Sequence, residues 1–357
     1  MYTIKQTPQD FIVEEIINLA AITPEPNKKY LVYKLTKSNE TTMHCIKRLA
    51  EKISIEEKLI GFCGLKDKNA TTSQYISIPN FGTKTGKERI EQFSTENVKL
   101  EYVGSSDAPL FIGALIANKF TIKVAGISDY EIIEQDQMIN YFGEQRFSDQ
   151  NEAIGKFLIT KKFVQARDLI IQEGIDNADR IGPELAQYRE KNPNDAVGAL
   201  RRLNPKLLML YIHAFQSGIW NRIASAIVKQ QQTAEHPQIY IDEELQVAVP
   251  KKINETNNLS QSSIQIPLLG FDSADEKHDE LLQQLIKEEL TKEKMTFRDF
   301  ISKEFPELTK SGGKRDFVAP IKYLQINKTS TDEAIFSFAL QKGSYATVAL
   351  RHILIPK

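Results

Sequence analysis

Cysteine, histidine and tryptophan are scarce in this chain of 357 residues, which contains two, five and one of them, respectively. Cys45 and Cys63 are too few to form a disulfide framework or a thiolate metal site. The histidines are dispersed along the chain, and no two of them have the spacing of metal ligands. We therefore expect no bound metal.

The sequence also lacks any apolar run long enough to cross a bilayer, and its N-terminus has no signal-peptide pattern. We therefore expect a cytoplasmic protein that does not bind membranes. The formal net charge is only −1, whereas most nucleic-acid-binding domains are basic. Any nucleic-acid binding must use local patches, and Lys and Arg exceed acidic residues in the regions 156–206 and 314–357.

The length favours two domains, because a chain of this size exceeds one ordinary small core. Short β-rich segments alternate with helices at the start, helices dominate from about residue 151, and β-rich segments return after residue 313. This order predicts an α+β protein in which a helical middle is inserted between β-rich ends. We place the domain limits at 1–155, 156–312 and 313–357, the first and last forming one domain.

Periodicity and capping residues predict the individual elements. Ser38 and Asn39 are capping residues before a helix that we expect from Glu40, and a second helix is expected to lead into Asn140. The polar tract 254–263 is expected to be a loop. The strands are predicted at 30–34, 74–78, 99–103, 114–124, 239–241, 245–249, 322–326 and 335–340, and the helices at 40–53, 129–142, 163–172, 196–203, 206–231, 277–294 and from 344.

The most informative segment is the glycine-flanked turn 61–72, in which Asp67 lies between Lys66 and Lys68. Glycines permit close approach of the backbone to a ligand, and cations next to an acid suit a loop that meets an anionic substrate. In an extended loop the two lysines point away from Asp67 and toward phosphates. The cation that pairs with Asp67 would then come from another part of the chain.

Two further segments carry aromatic residues beside Arg or amide groups. One is Asn140–Phe147, and the other is Gly343–Thr347, which leads into Arg351. Aromatic rings stack on nucleobases, whereas amides and Arg bond to base edges and phosphates. These segments therefore favour RNA as the ligand.

Together these segments resemble the TruD family of tRNA pseudouridine synthases. The matches occur in the order of the family and cover nearly the whole chain. They are Pro8–Glu15, Gly64–Lys68 followed by Ala70, Thr72 and Gln74, Asn140–Phe147, His213–Ser217 with Trp220 and Asn221, and Gly343–Arg351.

The resemblance implies a pseudouridine-synthase catalytic domain with a mixed or antiparallel sheet, and an inserted, largely helical α/β TRUD domain. It also implies isomerisation of a uridine in tRNA, uridine 13 in the D-arm region, by a monomer without a cofactor. The nucleophile or general base falls on Asp67, and the cation expected to pair with it falls on Lys5, with Arg146 as the alternative. The substrate-binding positions are Phe11, Asn140, Phe142, Tyr345 and Lys5, and the further RNA contacts are Lys66, Lys68, Arg146 and Arg351.

Two other functions remain open at the level of the residues. The chain could bind or fold RNA without catalysis, in which case Asp67→Asn would leave its function intact. It could also hydrolyse a nucleoside with Asp67 and Glu14 as a carboxylate pair, which would release free uracil.

Overall fold

A computed structural model describes the chain except for residues 1, 83–87, 91, 94, 148–149, 178–179, 231–238 and 254–263. The expected loop at 254–263 therefore lies outside the described residues. The described chain divides into a first unit (Met1–Asp136, Pro320–Ala346 and Ile353–Lys357) and a second unit (Gln137–Ala319 and Thr347–His352). The expected domain limits at residues 155 and 312 stay a prediction.

One eight-stranded mixed sheet forms the centre of the first unit. Its strands are β1 (Phe11–Ile16), β2 (Tyr30–Ser38), β3 (Gly61–Phe62), β4 (Thr71–Pro79), β5 (Val98–Ser106), β6 (Ala117–Ala125), β14 (Lys322–Lys328) and β15 (Glu333–Gln341). Their order in the sheet is β14-β15-β6-β1-β4-β2-β5, with β3 paired to β4. β1 runs parallel to β4, and the other described pairs are antiparallel.

Helix α1 (Thr42–Ile53) contributes one apolar face to the core of the first unit. Ile46 and Leu49 of α1 belong to the same buried cluster as Tyr33 and Leu35 of β2. The expected caps were misplaced, because the helix is capped by Thr41, whose hydroxyl accepts a hydrogen bond from the His44 amide.

The segment expected to be a helix at 129–142 contains two short strands instead, so that prediction was wrong. They are β7 (Tyr130–Ile132) and β8 (Gln137–Ile139). β7 pairs with β16 (Leu354–Pro356), and β8 pairs with β13 (Val318–Pro320). Both partners lie far along the chain, so tertiary pairing overrides the local helical pattern.

Helices dominate the second unit, as the sequence predicts for this part of the chain. They are α2 (Asn151–Ile159), α3 (Phe163–Asp176), α4 (Ile181–Lys191), α5 (Ala196–Arg201), α6 (Pro205–Gln230) and α7 (Glu280–Glu293), followed late in the chain by residues 347–352 of α8 (Ala346–Ile353). The short strands are β9 (Ile239–Asp242), β10 (Val247–Pro250), β11 (Gln265–Leu268) and β12 (Gly313–Asp316). No helix within the described ranges has both the length and the apolarity to span a bilayer.

Candidate active site

Asp67 lies in the loop between β3 and β4, and 42% of its side chain is exposed. Lys5 Nζ is 2.9 Å from Asp67 Oδ2 and 4.1 Å from the centroid of the Phe11 ring. Of the two cations expected for this pair, the structure therefore has Lys5. Phe11 is buried, and its ring supports the ammonium group of Lys5 by a cation–π contact.

The backbone of the Asp67 loop is fastened by buried polar side chains. Thr42 Oγ1 accepts a hydrogen bond from the Lys66 amide (3.1 Å) and donates one to Gln74 Oε1 (2.8 Å). Gln74 Nε2 in turn donates to the carbonyl oxygen of Gly64 (3.1 Å). Since Thr42 belongs to α1 and Gln74 to β4, a helix and a strand together set the path of the loop.

Lys37 of β2 holds the loop directly beneath Asp67. Its side chain is buried, and its Nζ donates to the carbonyl oxygen of Asp67 at 2.7 Å. Burial lowers the pKa of Lys37, although the nearby Cys45, Asp67 and Glu40 oppose this shift. The main chain of Asp67 is thus fixed while its carboxylate remains accessible.

The structure gives Lys66 a different role from the expected phosphate contact. Its Nζ lies 2.7 Å from Glu15 Oε2, and both side chains are almost inaccessible to solvent. It also donates to Asn118 Oδ1 at 2.7 Å. We therefore withdraw Lys66 from the RNA contacts, because its ammonium group is bonded to side chains of the sheet. Lys68, in contrast, is exposed.

Cys63 is buried behind the same loop. Burial, reinforced by the neighbouring Glu15 carboxylate, raises the pKa of its thiol to about 12. The thiol is therefore neutral at physiological pH and is a poor nucleophile. Among the described residues, no group of three or more His, Cys, Asp or Glu side chains is arranged to hold a metal.

Arg315 organises the Asn140 segment in the second unit. Its Nε donates to the carbonyl oxygen of Asn140, and its Nη2 donates to Asn140 Oδ1, both at 2.7 Å. The guanidinium carbon lies 4.0 Å from the centroid of the Phe142 ring. Asn140 is buried, and its Nδ2 donates to the carbonyl oxygen of Asp316. Arg315 is not among the residues predicted from the sequence, although the Gly312-Gly313 pair marks where its strand begins.

The fourth sequence match, on α6, is hydrogen-bonded to the third, the Asn140 segment. Asn221 Oδ1 accepts from the Phe142 amide and Asn221 Nδ2 donates to the Phe142 carbonyl oxygen, both at 2.9 Å. Ser217 Oγ accepts from Arg146 Nε at 3.2 Å. Thus α6 fixes the backbone of Phe142 and the side chain of Arg146.

His352 fixes the residue that precedes Asn140. Its Nε2 accepts from the Ile139 amide at 3.1 Å, so its Nδ1 carries the proton that is donated to the Val348 carbonyl oxygen. The ring is buried, and this burial lowers the pKa of His352 to about 4. The imidazole is therefore neutral at physiological pH.

Arg351 and Tyr345, both expected to meet substrate, occupy different environments. The guanidinium of Arg351 is 8% exposed and bonds to Glu144 (2.9 Å), Asp242 (2.8 Å) and Glu244. We withdraw Arg351 from the RNA contacts, because these three carboxylates occupy it. Tyr345 is half-buried in the first unit and follows Gly343, whose φ of 81° is suited to glycine.

A cavity of about 870 Å³ in the second unit has a charged lining. Arg222 lies in it and bonds to Glu152, Glu289 and Glu293. These carboxylates are held in ion pairs with the guanidinium, and Asn140, Phe142 and Arg315 do not line the cavity. We therefore assign no part of the reaction to it.

Comparison with known proteins gives consistent matches. The model of the family described as tRNA pseudouridine synthase D (TruD) matches residues 2–187 and 180–353. Relatives at 27% identity include a probable tRNA pseudouridine synthase D of Thermococcus sibiricus, matched over 98% of this chain and 94% of its own. Another is the tRNA pseudouridine synthase D of Aquifex aeolicus, matched over 98% of this chain and 97% of its own.

The fold is similar to a crystal structure of a putative TruD protein from Methanosarcina mazei. The TM-score is 0.70 at 24% identity, and the match covers 98% of this chain and 92% of the other. At this identity, the likeness bears on the fold alone.

Proposed function

This chain belongs to the tRNA pseudouridine synthase D (TruD) family and is a pseudouridine synthase, an isomerase, and we propose that it modifies uridine 13 in the D-arm region of tRNA. We further propose that Asp67 is its nucleophile or general base. The observation that carries this proposal is the accessible carboxylate of Asp67, on a loop that buried side chains fasten from behind.

The reaction needs a carboxylate and no net oxidation or reduction. The N1–C1′ bond of uridine breaks, the C5–C1′ bond forms, and the proton on C5 is lost while N1 gains one. A carboxylate can attack C1′ or accept the proton from C5. Both routes require the detached uracil to turn while it is trapped and shielded from water.

Lys5 would orient the Asp67 carboxylate, because its Nζ lies 2.9 Å from Asp67 Oδ2. Phe11 would act through Lys5, since its buried ring supports the ammonium group. In this proposal, Phe11 is a positioning residue and has no contact with the uracil.

The remaining substrate contacts follow from side-chain chemistry. Tyr345 would stack on the extruded uracil. The assignment of Asn140 and Phe142 to substrate binding stays a prediction. Lys68 is exposed and Arg146 is partly so. These two cations would meet phosphates. A cytoplasmic location, a monomeric state and independence of cofactors stay predictions.

The test compares wild-type protein with Asp67→Asn on unmodified tRNA transcripts, with pseudouridine mapped by carbodiimide modification and primer extension. We expect a single modified position, 13, with wild type and none with Asp67→Asn. Asp107→Asn is the matched control, because Asp107 is also an exposed aspartate paired with a lysine, at 3.4 Å from Lys28. Modification at another uridine would overturn the proposed position, and an active Asp67→Asn would overturn the role of Asp67.

A further inference from the structure

Two of the most exposed apolar side chains of the first unit are neighbours at the tip of one loop. Residues 107–116 connect β5 to β6, and we call them the β5–β6 loop. Its side chains Phe111 and Ile112 are 68% and 74% exposed, respectively. Adjacent large apolar groups with this exposure are characteristic of a surface that binds a partner.

The β5–β6 loop is fixed to the segment that leads into Asp67. The Gly113 amide donates to the carbonyl oxygen of Cys63 at 2.8 Å, and the Leu110 amide donates to Ser77 Oγ at 2.9 Å. A side chain at Gly61 would begin only 2.3 Å from the Leu110 carbonyl oxygen. The loop therefore rests directly on β3 and β4, and its exposed tip is held on a rigid base.

The same loop is fixed to the turn that contains Tyr345. Lys342 Nζ donates to the carbonyl oxygen of Gly113 at 3.1 Å, and the Lys342 amide donates to the carbonyl oxygen of Ile116 at 3.3 Å. Lys342 is exposed, so a cation lies beside the apolar tip. An apolar pair next to a cation is suited to a base stack and its phosphate.

These contacts set an upper limit on the distance from the Phe111–Ile112 tip to Asp67 and Tyr345. Asp67 is four residues after Cys63, and Tyr345 is three after Lys342. Four residues span at most about 14 Å, even when fully extended. The Phe111–Ile112 tip is thus close enough to reach the nucleotides on either side of a uridine whose sugar contacts Asp67.

We propose that Phe111 and Ile112 insert into the tRNA base stack next to the target uridine and take the place of the extruded base. Lys342 then contacts a phosphate beside this position. Extrusion breaks stacking on both neighbouring bases, and apolar side chains such as Phe and Ile are known to insert between base steps in nucleic acids. This inference rests on the proposed function, because it requires a base-extruding RNA enzyme.

The test uses fluorescence of 2-aminopurine, which increases when this base loses its stacked neighbour. The probe is placed next to uridine 13 in a tRNA transcript, and the protein carries Asp67→Asn so that turnover does not contribute. We expect a fluorescence increase with the intact tip. With Phe111→Ala/Ile112→Ala added, we expect the increase to disappear and the tRNA affinity to fall about tenfold, as for loss of one aromatic–base stack.

Phe81→Ala is the matched control, because Phe81 is a second exposed phenylalanine (52%) in the first unit and follows the end of β4 opposite to the Asp67 loop. It should retain the full increase. An equal increase with and without the tip, or none with the tip intact, would overturn the inference. Pseudouridine formation is measured separately with wild type, so failure of the proposed function is distinguished from failure of the wedge.

Discussion

The Asp67 loop and the Asn140 segment use their polar side chains in opposite ways. In the first, the backbone is bonded to buried residues, whereas the carboxylate of Asp67 is accessible and has a single described side-chain partner, Lys5. In the second, the side chains of Asn140 and Phe142 are themselves buried and covered by Arg315. The first arrangement leaves a carboxylate accessible to solvent, whereas the second buries its polar side chains among their partners.

A match to a family motif therefore does not define how a residue acts. Substitution at an accessible group should affect turnover more than folding, because exposed ion pairs contribute little to stability. Substitution at a buried group should affect folding, because its former partners are left unsatisfied. The following variants test this contrast between the two regions.

The largest effect is expected for Asp67→Asn. Loss of a catalytic nucleophile or base should lower kcat by about 10⁴-fold or more. The free energy of unfolding should change by less than about 1 kcal/mol, since the pair with Lys5 is partly exposed. Single-turnover kinetics and urea unfolding measure the two quantities. A large loss of stability would remove the contrast with the Asn140 segment, because Asp67 would then be required for folding.

The next largest effect is expected for Lys66→Met, which leaves the Glu15 carboxylate buried without its cation. Breaking a buried ion pair in this way should lower the free energy of unfolding by about 3–5 kcal/mol. The double variant Lys66→Met/Glu15→Met should recover part of this loss, because no charge is then buried. Exposed Lys68→Met is the control, with unchanged stability. Weaker tRNA binding at unchanged stability for Lys66→Met would restore Lys66 to the RNA contacts.

Acid should weaken the second unit through His352. The folded-state pKa of about 4 lies below the ordinary value of 6.5, so the unfolded state binds a proton first as the pH falls. The stabilisation is complete above pH 6.5 and decreases through the window from 6.5 to 4, by roughly 2–3 kcal/mol.

This prediction is checked by urea unfolding of wild type and His352→Gln at pH 7, 5.5 and 4.5. The variant cannot titrate, so the difference in unfolding free energy between the two proteins should depend on pH in this window. His44→Gln, at an exposed position of α1, is the control. Parallel pH curves for wild type and His352→Gln would show that His352 is not the group responsible.

A smaller effect is expected at Asn140, which shares a network with Arg315. Asn140→Ala should lower the free energy of unfolding by about 2 kcal/mol, because donors of Arg315 and the Asp316 carbonyl oxygen lose their partner. A double-mutant cycle with Arg315→Met should give a coupling energy of about 1 kcal/mol or more. Additive effects would mean that Arg315 does not act on Asn140.

The smallest effect is expected for Lys5→Met, which removes the partner of Asp67 but not the carboxylate. We expect kcat/KM to fall about tenfold, equivalent to about 1.4 kcal/mol of transition-state stabilisation, whereas Lys5→Arg should retain most of the activity. Lys28→Met breaks the comparable pair with Asp107 and is the control. If Lys5→Met were fully active, orientation of Asp67 by Lys5 would be excluded.

Local patterns predicted most of the elements, and the family resemblance predicted the pairing of Asp67 with Lys5. They failed at 129–142, where β7 and β8 pair with strands near residues 355 and 319. They also assigned Lys66 and Arg351 to RNA, because the charge of a side chain is visible in sequence but its burial is not. Arg315 was missed for a related reason, since a guanidinium that bonds to backbone carbonyls has no sequence motif.

Most of the strands and helices, and the family, could be established from the sequence, because hydrophobic periodicity and short motifs are local properties. Which charged side chains form ion pairs within the fold, and which face solvent, became visible only in the tertiary structure. The reason is physical: whether a cation is available to a ligand depends on carboxylates and carbonyl groups that the fold brings to it from distant positions, as for Lys66 with Glu15 and Arg351 with Asp242.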